Sequence, residues 1–407
     1  MMYVNTRMAV LAGIAFGVFF TLSCATSDKV QTPASSNAVS ESYNEQLLYL
    51  NQRIRSNPMN EELRVQKAEL LFEYAHSIPD PEDRKRVYQD LRVTADDSRS
   101  LQNAKLKIDE IVKRAWNSEQ NSSIRLLQED RSETYDIHFY KIIAHLNNAI
   151  TIIPDSLVTY SLKSTTLYRR GHLNESISTL VEANRIARGT KPEIREKLAF
   201  LYLESGYASD AISIYEELTN QYQDRETYIH GLINALILNK QHDDAVLILR
   251  NLSEQYPART RYRESLATEL FYIFSSQANI LYDNPQARNA SEDDINEALN
   301  ILEEARLLFT SLDSQIPSNE ENIYRMGTFY MKASHIIHQL SELDIGNELA
   351  DELTNKSNEY MQKSLSYWER LAEMSSDNME YMYILHSIYL ELGMNEEADS
   401  IERTFNF

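Results

Sequence analysis

Three side chains near the end of one expected helix have the spacing of metal ligands. His335 and His338 are three residues apart, and Glu342 follows one turn later. On a helix, this spacing places imidazole and carboxylate groups on neighbouring parts of one face, where they could share a divalent cation. Polar residues on an exposed helix show the same spacing far more often, so the sequence predicts neither a metal nor any other cofactor.

No stretch of the chain has the spacing of a common catalytic or nucleotide-binding motif. The patterns G-x-x-x-x-G-K-[ST], G-x-G-x-x-G, H-E-x-x-H and G-x-S-x-G are all absent from the sequence. Acid pairs such as Glu303 and Glu304 are adjacent, so on a helix they point apart and make no catalytic dyad. We therefore predict that the protein is not an enzyme. A hydrolase of the cell wall with carboxylates on distant helices would leave no local pattern and stays open.

Helices are the elements available to position these side chains. The 407 residues include only 9 Gly and 9 Pro. A sandwich or barrel needs a turn about every 8–12 residues, and so few breakers cannot supply those turns. The hydrophobic content of 43% and the charged content of 25% are typical of a chain that folds. The composition therefore predicts an all-α protein with long helices.

The charge of the chain excludes general nucleic-acid binding. The formal net charge is −21, which repels phosphate over most of the surface. Residues 290–407 hold 24 acidic and only 7 basic side chains. Two interpretations of this last third stay open. One is a solvated acidic face that keeps it soluble, and the other is a docking surface for a basic partner.

The start of the chain predicts export. Met1–Arg7 carries one positive charge, and Met8–Leu22 follows without any charged residue. This apolar run of 15 residues is shorter than the roughly 20 that a membrane-spanning helix needs. A basic start followed by a short apolar run is typical of a secretory signal peptide.

Cys24 is the only cysteine and directly follows Ser23. The stretch from Phe20 to Ala25 resembles a bacterial lipoprotein signal, in which the cysteine is acylated and becomes the mature N terminus. The resemblance implies a signal peptide over residues 1–23 and a lipid anchor at Cys24. Because Ala25 rather than aspartate follows the cysteine, it also implies the outer membrane rather than the inner. Ordinary cleavage at this site and retention as an uncleaved anchor stay open.

The lipidated Cys24 and a flexible tether are together expected over residues 24–42. Thr26–Ser42 holds seven Ser or Thr residues and almost no large apolar side chain. Such a composition favours an extended linker between lipid and folded body.

Three consecutive stretches repeat one pattern with a period of about 34 residues. Gly171 and Gly206 are 35 residues apart, and Ala211 and Ala245 are 34 apart. The third unit has Lys240 in the place of the glycine. Each unit alone would expose an apolar stripe, so neighbouring units must stack.

This pattern resembles the tetratricopeptide repeat (TPR), a pair of antiparallel helices. The small residues Ser164 and Ala199 would let the second helix approach the first, and Gly171 and Gly206 would end the first helices in a left-handed cap. The resemblance implies a TPR-like right-handed helical-hairpin solenoid. It also implies a protein or peptide partner that binds in a concave groove lined by first-helix residues.

Matching the motif residue by residue assigns the groove. The assigned positions are Tyr168, Arg169, Glu196, Phe200, Glu204, His230 and Asn234. Tyr168 and Phe200 are expected to be large exposed anchors, because aromatic side chains dominate interface energies. A carboxylate-clamp groove needs a lysine, but Ser161, Glu196 and His230 stand there, so a receptor for chaperone tails is not supported.

Irregular long helices are expected on both sides of the core repeats. The sequence divides into an N-terminal helical region at 43–155, core repeats at 156–258 and an acidic, irregular TPR-like region at 259–407. The expected helices are Tyr43–Asn57, Glu61–Ala75, Ser98–Gln128, Tyr135–Ile153, Tyr262–Leu281, Glu297–Ala305 and, as one helix of about 28 residues, Asn347–Met374. A last repeat-like unit, Tyr381–Phe405, has its glycine at Gly393.

Together these patterns predict a non-catalytic lipoprotein of the bacterial cell envelope that acts as a protein-interaction scaffold or assembly adaptor. It would reach the membrane through its lipid anchor and bind no nucleic acid. The alternative is a lipoprotein that captures a glycan or peptide ligand for an outer-membrane transporter, since 25 tyrosines could supply an aromatic surface.

Overall fold

The computed structural model describes residues 36–129, 135–283, 291–314 and 319–405. These ranges contain seventeen α-helices and one short 3₁₀ helix, and no strand, which confirms the all-α prediction. No helix within them is both long enough and apolar enough to cross a membrane. The expected signal peptide and Cys24 lie outside the described residues. The chain divides into two compact units, one ending at Pro154 and one beginning at Asp155.

The first unit has five α-helices around one apolar core. The helices are α1 (Ser36–Ser56), α2 (Glu61–Ser77), α3 (Lys85–Asp97), α4 (Gln102–Glu129) and α5 (Tyr135–Ile152), with a 3₁₀ turn at Glu82–Arg84 before α3.

Two sequence-based boundaries in this unit were wrong. Helix α1 begins at Ser36, so residues 36–42 of the expected tether are helical. The stacked rings of Tyr43 and Tyr74 attach α1 to α2, and this contact is invisible in the local composition. Helix α4 begins at Gln102 rather than Ser98, because the backbone N–H of Ser98 instead closes the last turn of α3, a helix that the sequence analysis did not identify.

A buried carboxylate joins three segments of the first unit. Glu119 of α4 is fully buried and accepts hydrogen bonds from Arg84 (2.9 Å), Tyr88 (2.8 Å) and Asn148 (3.3 Å). The His145 Nδ1 atom lies 2.6 Å from its second oxygen. Burial alone would raise the pKa of Glu119, but these donors lower it below the usual value. The carboxylate is therefore held ionised inside the unit, where its partners satisfy it.

The second unit begins with three hairpins of equal size. Each has a first helix of 13 residues and a second of 14 residues. The first helices are α6 (Leu157–Arg169), α8 (Pro192–Glu204) and α10 (Glu226–Leu238), and the second helices are α7 (Leu173–Ile186), α9 (Ala208–Gln221) and α11 (His242–Gln255). The three repeats expected from the sequence are thus confirmed as helical hairpins.

Small buried residues stand where the helices of these hairpins cross. Ser164 and Ser176 are buried, and the Ser176 hydroxyl donates to the Ser164 carbonyl oxygen at 2.8 Å. Ala199 and Ala211 take the same places in the next hairpin and have no exposed surface. A serine can replace alanine here because its hydroxyl finds a backbone acceptor across the crossing.

The first helix of each of these three hairpins is followed by a left-handed residue, as the sequence predicted for the two glycines. Gly171 and Gly206 both have φ of +79°, and Gly393 has +72°. In the first hairpin, the N–H of His172 donates to the Leu167 carbonyl oxygen at 3.0 Å, which gives the bond pattern of a Schellman cap.

Lys240 takes the left-handed position in the third hairpin. Its φ is +61°, and the N–H of Gln241 donates to the Leu236 carbonyl oxygen at 2.9 Å, as in the other caps. The hairpin geometry therefore imposes this conformation on a residue with a Cβ atom, for which it is unfavourable.

Two longer hairpins and one short hairpin follow. They are α12 (Thr260–Asp283) with α13 (Glu292–Asp313), α14 (Glu320–Ser341) with α15 (Asn347–Met374), and α16 (Met379–Glu391) with α17 (Asn395–Phe405). The expected 28-residue helix is confirmed as α15.

Replacing Lys240 with glycine tests the cap. We expect Lys240→Gly to raise the free energy of unfolding by about 0.5–1 kcal/mol, because glycine removes the left-handed strain but adds freedom to the unfolded chain. Gly206→Ala, the matched change at the equivalent cap, should lower it by about 1 kcal/mol. Urea unfolding followed by circular dichroism measures both. A neutral result for both variants would contradict the cap assignment.

Candidate interaction face on the first helices

The residues assigned to the groove lie together on the first helices of the second unit. We call this surface the first-helix face. Its members are Ser161, Thr165, Tyr168 and Arg169 on α6, Glu196, Phe200 and Glu204 on α8, and His230 and Asn234 on α10. Arg169, Glu204 and Asn234 are exposed, and the other members are partly buried.

Aromatic and polar contacts connect α6 to α8 on this face. The rings of Tyr168 and Phe200 meet edge to face, with centroids 5.5 Å apart. The Tyr168 hydroxyl donates to Glu204 at 3.3 Å. Partial burial, and secondarily the Glu204 carboxylate, raise the pKa of Tyr168 above its usual value. The expectation of two large exposed anchors was therefore wrong, because both rings are partly buried and each covers part of the other.

Ionisable side chains on α8 are partly withdrawn from water. Burial raises the pKa of Glu196 and lowers that of Lys197. The Lys197 ammonium donates to the Ser161 hydroxyl on α6. The sequence analysis did not place Lys197 on this face, because it compared single motif positions and could not see a side chain that reaches across to the neighbouring helix.

The face continues onto α12 through residues that the motif did not assign. The His230 Nε2 atom lies 3.2 Å from the Tyr262 hydroxyl. Arg261 donates to Glu226 at 2.8 Å, and its guanidinium lies 5.1 Å from the centre of the Tyr262 ring. Helices α6, α8, α10 and α12 therefore present a connected surface of aromatic rings, carboxylates, an imidazole and an amide.

The two histidines singled out as metal-compatible have different carboxylate neighbours. The His335 Nε2 atom lies 2.8 Å from Glu391 of α16, and the His338 Nε2 atom lies 3.8 Å from Glu342. Within the described ranges, no three His, Cys, Asp or Glu side chains converge as metal ligands do.

Two shallow surface depressions lie in turns of the same unit. One is lined by residues 220–225, and the other by residues drawn from 189–195 and 218–222. None of the first-helix face residues lines either depression. The face is therefore distinct from these small depressions.

Comparison with known proteins gives structural likenesses alone. No protein-family model and no curated protein matches the chain. A tetratricopeptide repeat protein from Parabacteroides merdae is 14% identical over 66% of this chain and 99% of that structure, with a TM-score of 0.37.

Two further solved structures have similar values. A TPR repeats protein from Bacteroides fragilis is 7% identical over 58% of this chain and 99% of its own length, with a TM-score of 0.29. MamA from Desulfovibrio magneticus is 12% identical over 49% of this chain and 97% of its own length, with a TM-score of 0.34. Likenesses of this size say nothing about partner or activity.

The hairpins themselves carry the fold assignment. Their 13- and 14-residue helices, small crossing residues and left-handed caps are what the repeat pattern predicted. The fold is a TPR-like array of helical hairpins.

The charge on His230 tests the electrostatics of the face. Partial burial, and then the positive charge of Arg261, lower the pKa of His230 below 6.5, while Glu226 opposes this shift. His230 is therefore expected to be neutral at pH 7. Arg261→Gln should raise its pKa and Glu226→Gln should lower it, as measured by NMR titration of the imidazole proton. A pKa at or above 6.5 in the unmodified protein would contradict the arrangement.

Proposed function

We propose that this protein is a lipid-anchored, non-catalytic scaffold of the bacterial cell envelope that binds a protein or peptide on its first-helix face. The observation that carries the proposal is the contact of Tyr168, Phe200 and Glu204 across two hairpins. These contacts hold the side chains in place before binding, so less conformational entropy is lost when a partner binds. Large rings beside charged groups are the composition of protein-binding hot spots.

The membrane part of the proposal rests on the sequence. The signal-like start and the single Cys24 support export and acylation, and Ala25 supports the outer membrane. More than one acyl chain on Cys24 would hold the protein firmly, since a single chain binds only marginally. The chain would act as an assembly adaptor that presents its face in the envelope.

Labelling and fractionation test the anchor. An alkyne-bearing fatty acid fed to the producing bacterium should label the protein, and Cys24→Ser should abolish the label and release the protein from the membrane fraction. Labelling that persists in Cys24→Ser, or membrane retention without any label, would contradict acylation at Cys24.

Site-specific photo-crosslinking in living cells tests the face. A photoreactive residue at Phe200 should attach one discrete protein, and Tyr168→Ala should weaken that adduct, because it removes the ring that packs on position 200. A photoreactive residue at Ser213, exposed on the second helix α9, is the control position. A further photoreactive residue is placed at Glu397, in the acidic last third. The proposal would be contradicted if position 200 gave no adduct and only position 397 gave one.

A further inference from the structure

Helix α16 has apolar side chains on two faces. One face is buried and consists of Tyr381, Met382, Leu385, Ile388 and Tyr389. A second stripe is in contact with solvent: Met379 is 41% exposed, Tyr383 54% and Leu390 49%. The half-buried His386 lies between Tyr383 and Leu390. The four positions 379, 383, 386 and 390 are four, three and four residues apart, so they lie on the same side of the helix. An ordinary surface helix has polar side chains there.

The exposed stripe lies beside the positions of α16 that are equivalent, in the repeat, to the first-helix face positions of α8. Counting back from the left-handed caps Gly206 and Gly393, Tyr383 is equivalent to Glu196, and Glu391 is equivalent to Glu204. Helix α16 therefore repeats on its own hairpin the side that α8 presents to a proposed partner.

Contacts between α14 and α16 agree with the equivalence of α16 and α8. The His335 Nε2 atom of α14 lies 2.8 Å from Glu391, much as Tyr168 of α6 reaches Glu204. The Tyr324 hydroxyl of α14 donates to Glu380 at 3.5 Å. Helices α14 and α16 thus lie side by side on this surface, with Tyr383 between the two acidic contacts along α16.

The surroundings of the stripe are strongly acidic. The exposed carboxylates on the elements beside it are Glu320 and Glu321 at the start of α14, Asp377 in the turn before α16, and Glu380 and Glu391 on α16 itself. Two of the seven bases in the last third are already paired on the neighbouring hairpins, Arg306 with Glu303 and Lys363 with Glu359. The local field therefore attracts cations and repels acidic segments.

We propose that this α16 face docks a cationic amphipathic peptide segment of a partner protein. The apolar side chains of the segment pack on Met379, Tyr383 and Leu390, and its Lys or Arg side chains pair with the surrounding carboxylates. This arrangement explains why an exposed apolar stripe lies in the most acidic part of the chain. It is a second site of the scaffold proposed above and rests on that function only in treating the chain as a protein-binding one.

Fluorescence anisotropy with a defined probe tests the site. The probe is a short, fluorescein-labelled helical peptide of lysine and leucine, added to the purified chain lacking residues 1–23, and the same peptide with glutamate for lysine is the charge control. We expect the lysine peptide to bind and the glutamate peptide not to bind. Tyr383→Ala should weaken binding by about tenfold or more, as loss of an aromatic anchor does.

Matched variants separate this site from general attraction to an acidic protein. Tyr207→Ala removes a tyrosine that is equally exposed, at 54%, in the turn before α9, and it should leave the affinity unchanged. Glu380→Gln with Glu391→Gln should reduce the salt dependence of binding. Tyr383→Lys, which keeps a long side chain but adds a positive charge that repels the cationic peptide, should abolish binding, and circular dichroism checks that each variant is folded.

Hydrogen exchange gives the second readout, since bound peptide should protect the amides of residues 379–391. Equal affinity for Tyr383→Ala and the unmodified chain, or equal loss for Tyr207→Ala, would overturn the proposal. The peptide test uses residues of α16 and the crosslink uses position 200 of α8, so failure here and failure of the crosslink are separate results.

Discussion

The close crossing of two helices within each hairpin is the constraint on which the second unit depends. At one such crossing, a Cβ atom added to Gly327 of α14 would lie 2.9 Å from the indole nitrogen of Trp368, which is fully buried on α15. Ser364 donates to the Gly327 carbonyl oxygen at 2.9 Å, and Ser334 and Ser357 exchange hydrogen bonds with each other's carbonyl oxygens further along. Small residues let the backbones meet, and the serine hydroxyls donate to backbone carbonyl oxygens enclosed there.

The surfaces follow from these crossings. Because second helices pack closely on first helices, the first helices of successive hairpins lie near enough for Tyr168 to meet Phe200 and for His335 to meet Glu391. The same packing decides which side chains stay accessible. In α8 the aromatic surface is half covered by its neighbour, whereas in α16 the equivalent side keeps Tyr383 in solvent among carboxylates. One backbone arrangement thus offers two chemically different faces.

The sequence predicted what is local and periodic. Glycine spacing gave the caps at Gly171 and Gly206, and apolar spacing gave the length of α15. It missed what depends on contacts between distant segments, such as the four side chains around Glu119 and the reach of Lys197 to Ser161. Such contacts join residues 26 to 36 positions apart, and no local pattern encodes them. The face positions were predictable from the repeat register, but the mutual cover of their rings was not.

The stability of Gly327→Ala tests the central constraint most directly, with Gly346→Ala as the control because a Cβ atom there meets nothing within 4 Å. Alanine gains about 1 kcal/mol in helix propensity at position 327. Displacement of the enclosed Trp368 should outweigh this gain, so we predict a net loss of about 1–2 kcal/mol in unfolding free energy. Gly346→Ala should change it by no more than about 0.5 kcal/mol. Unchanged or increased stability in Gly327→Ala would contradict the close crossing.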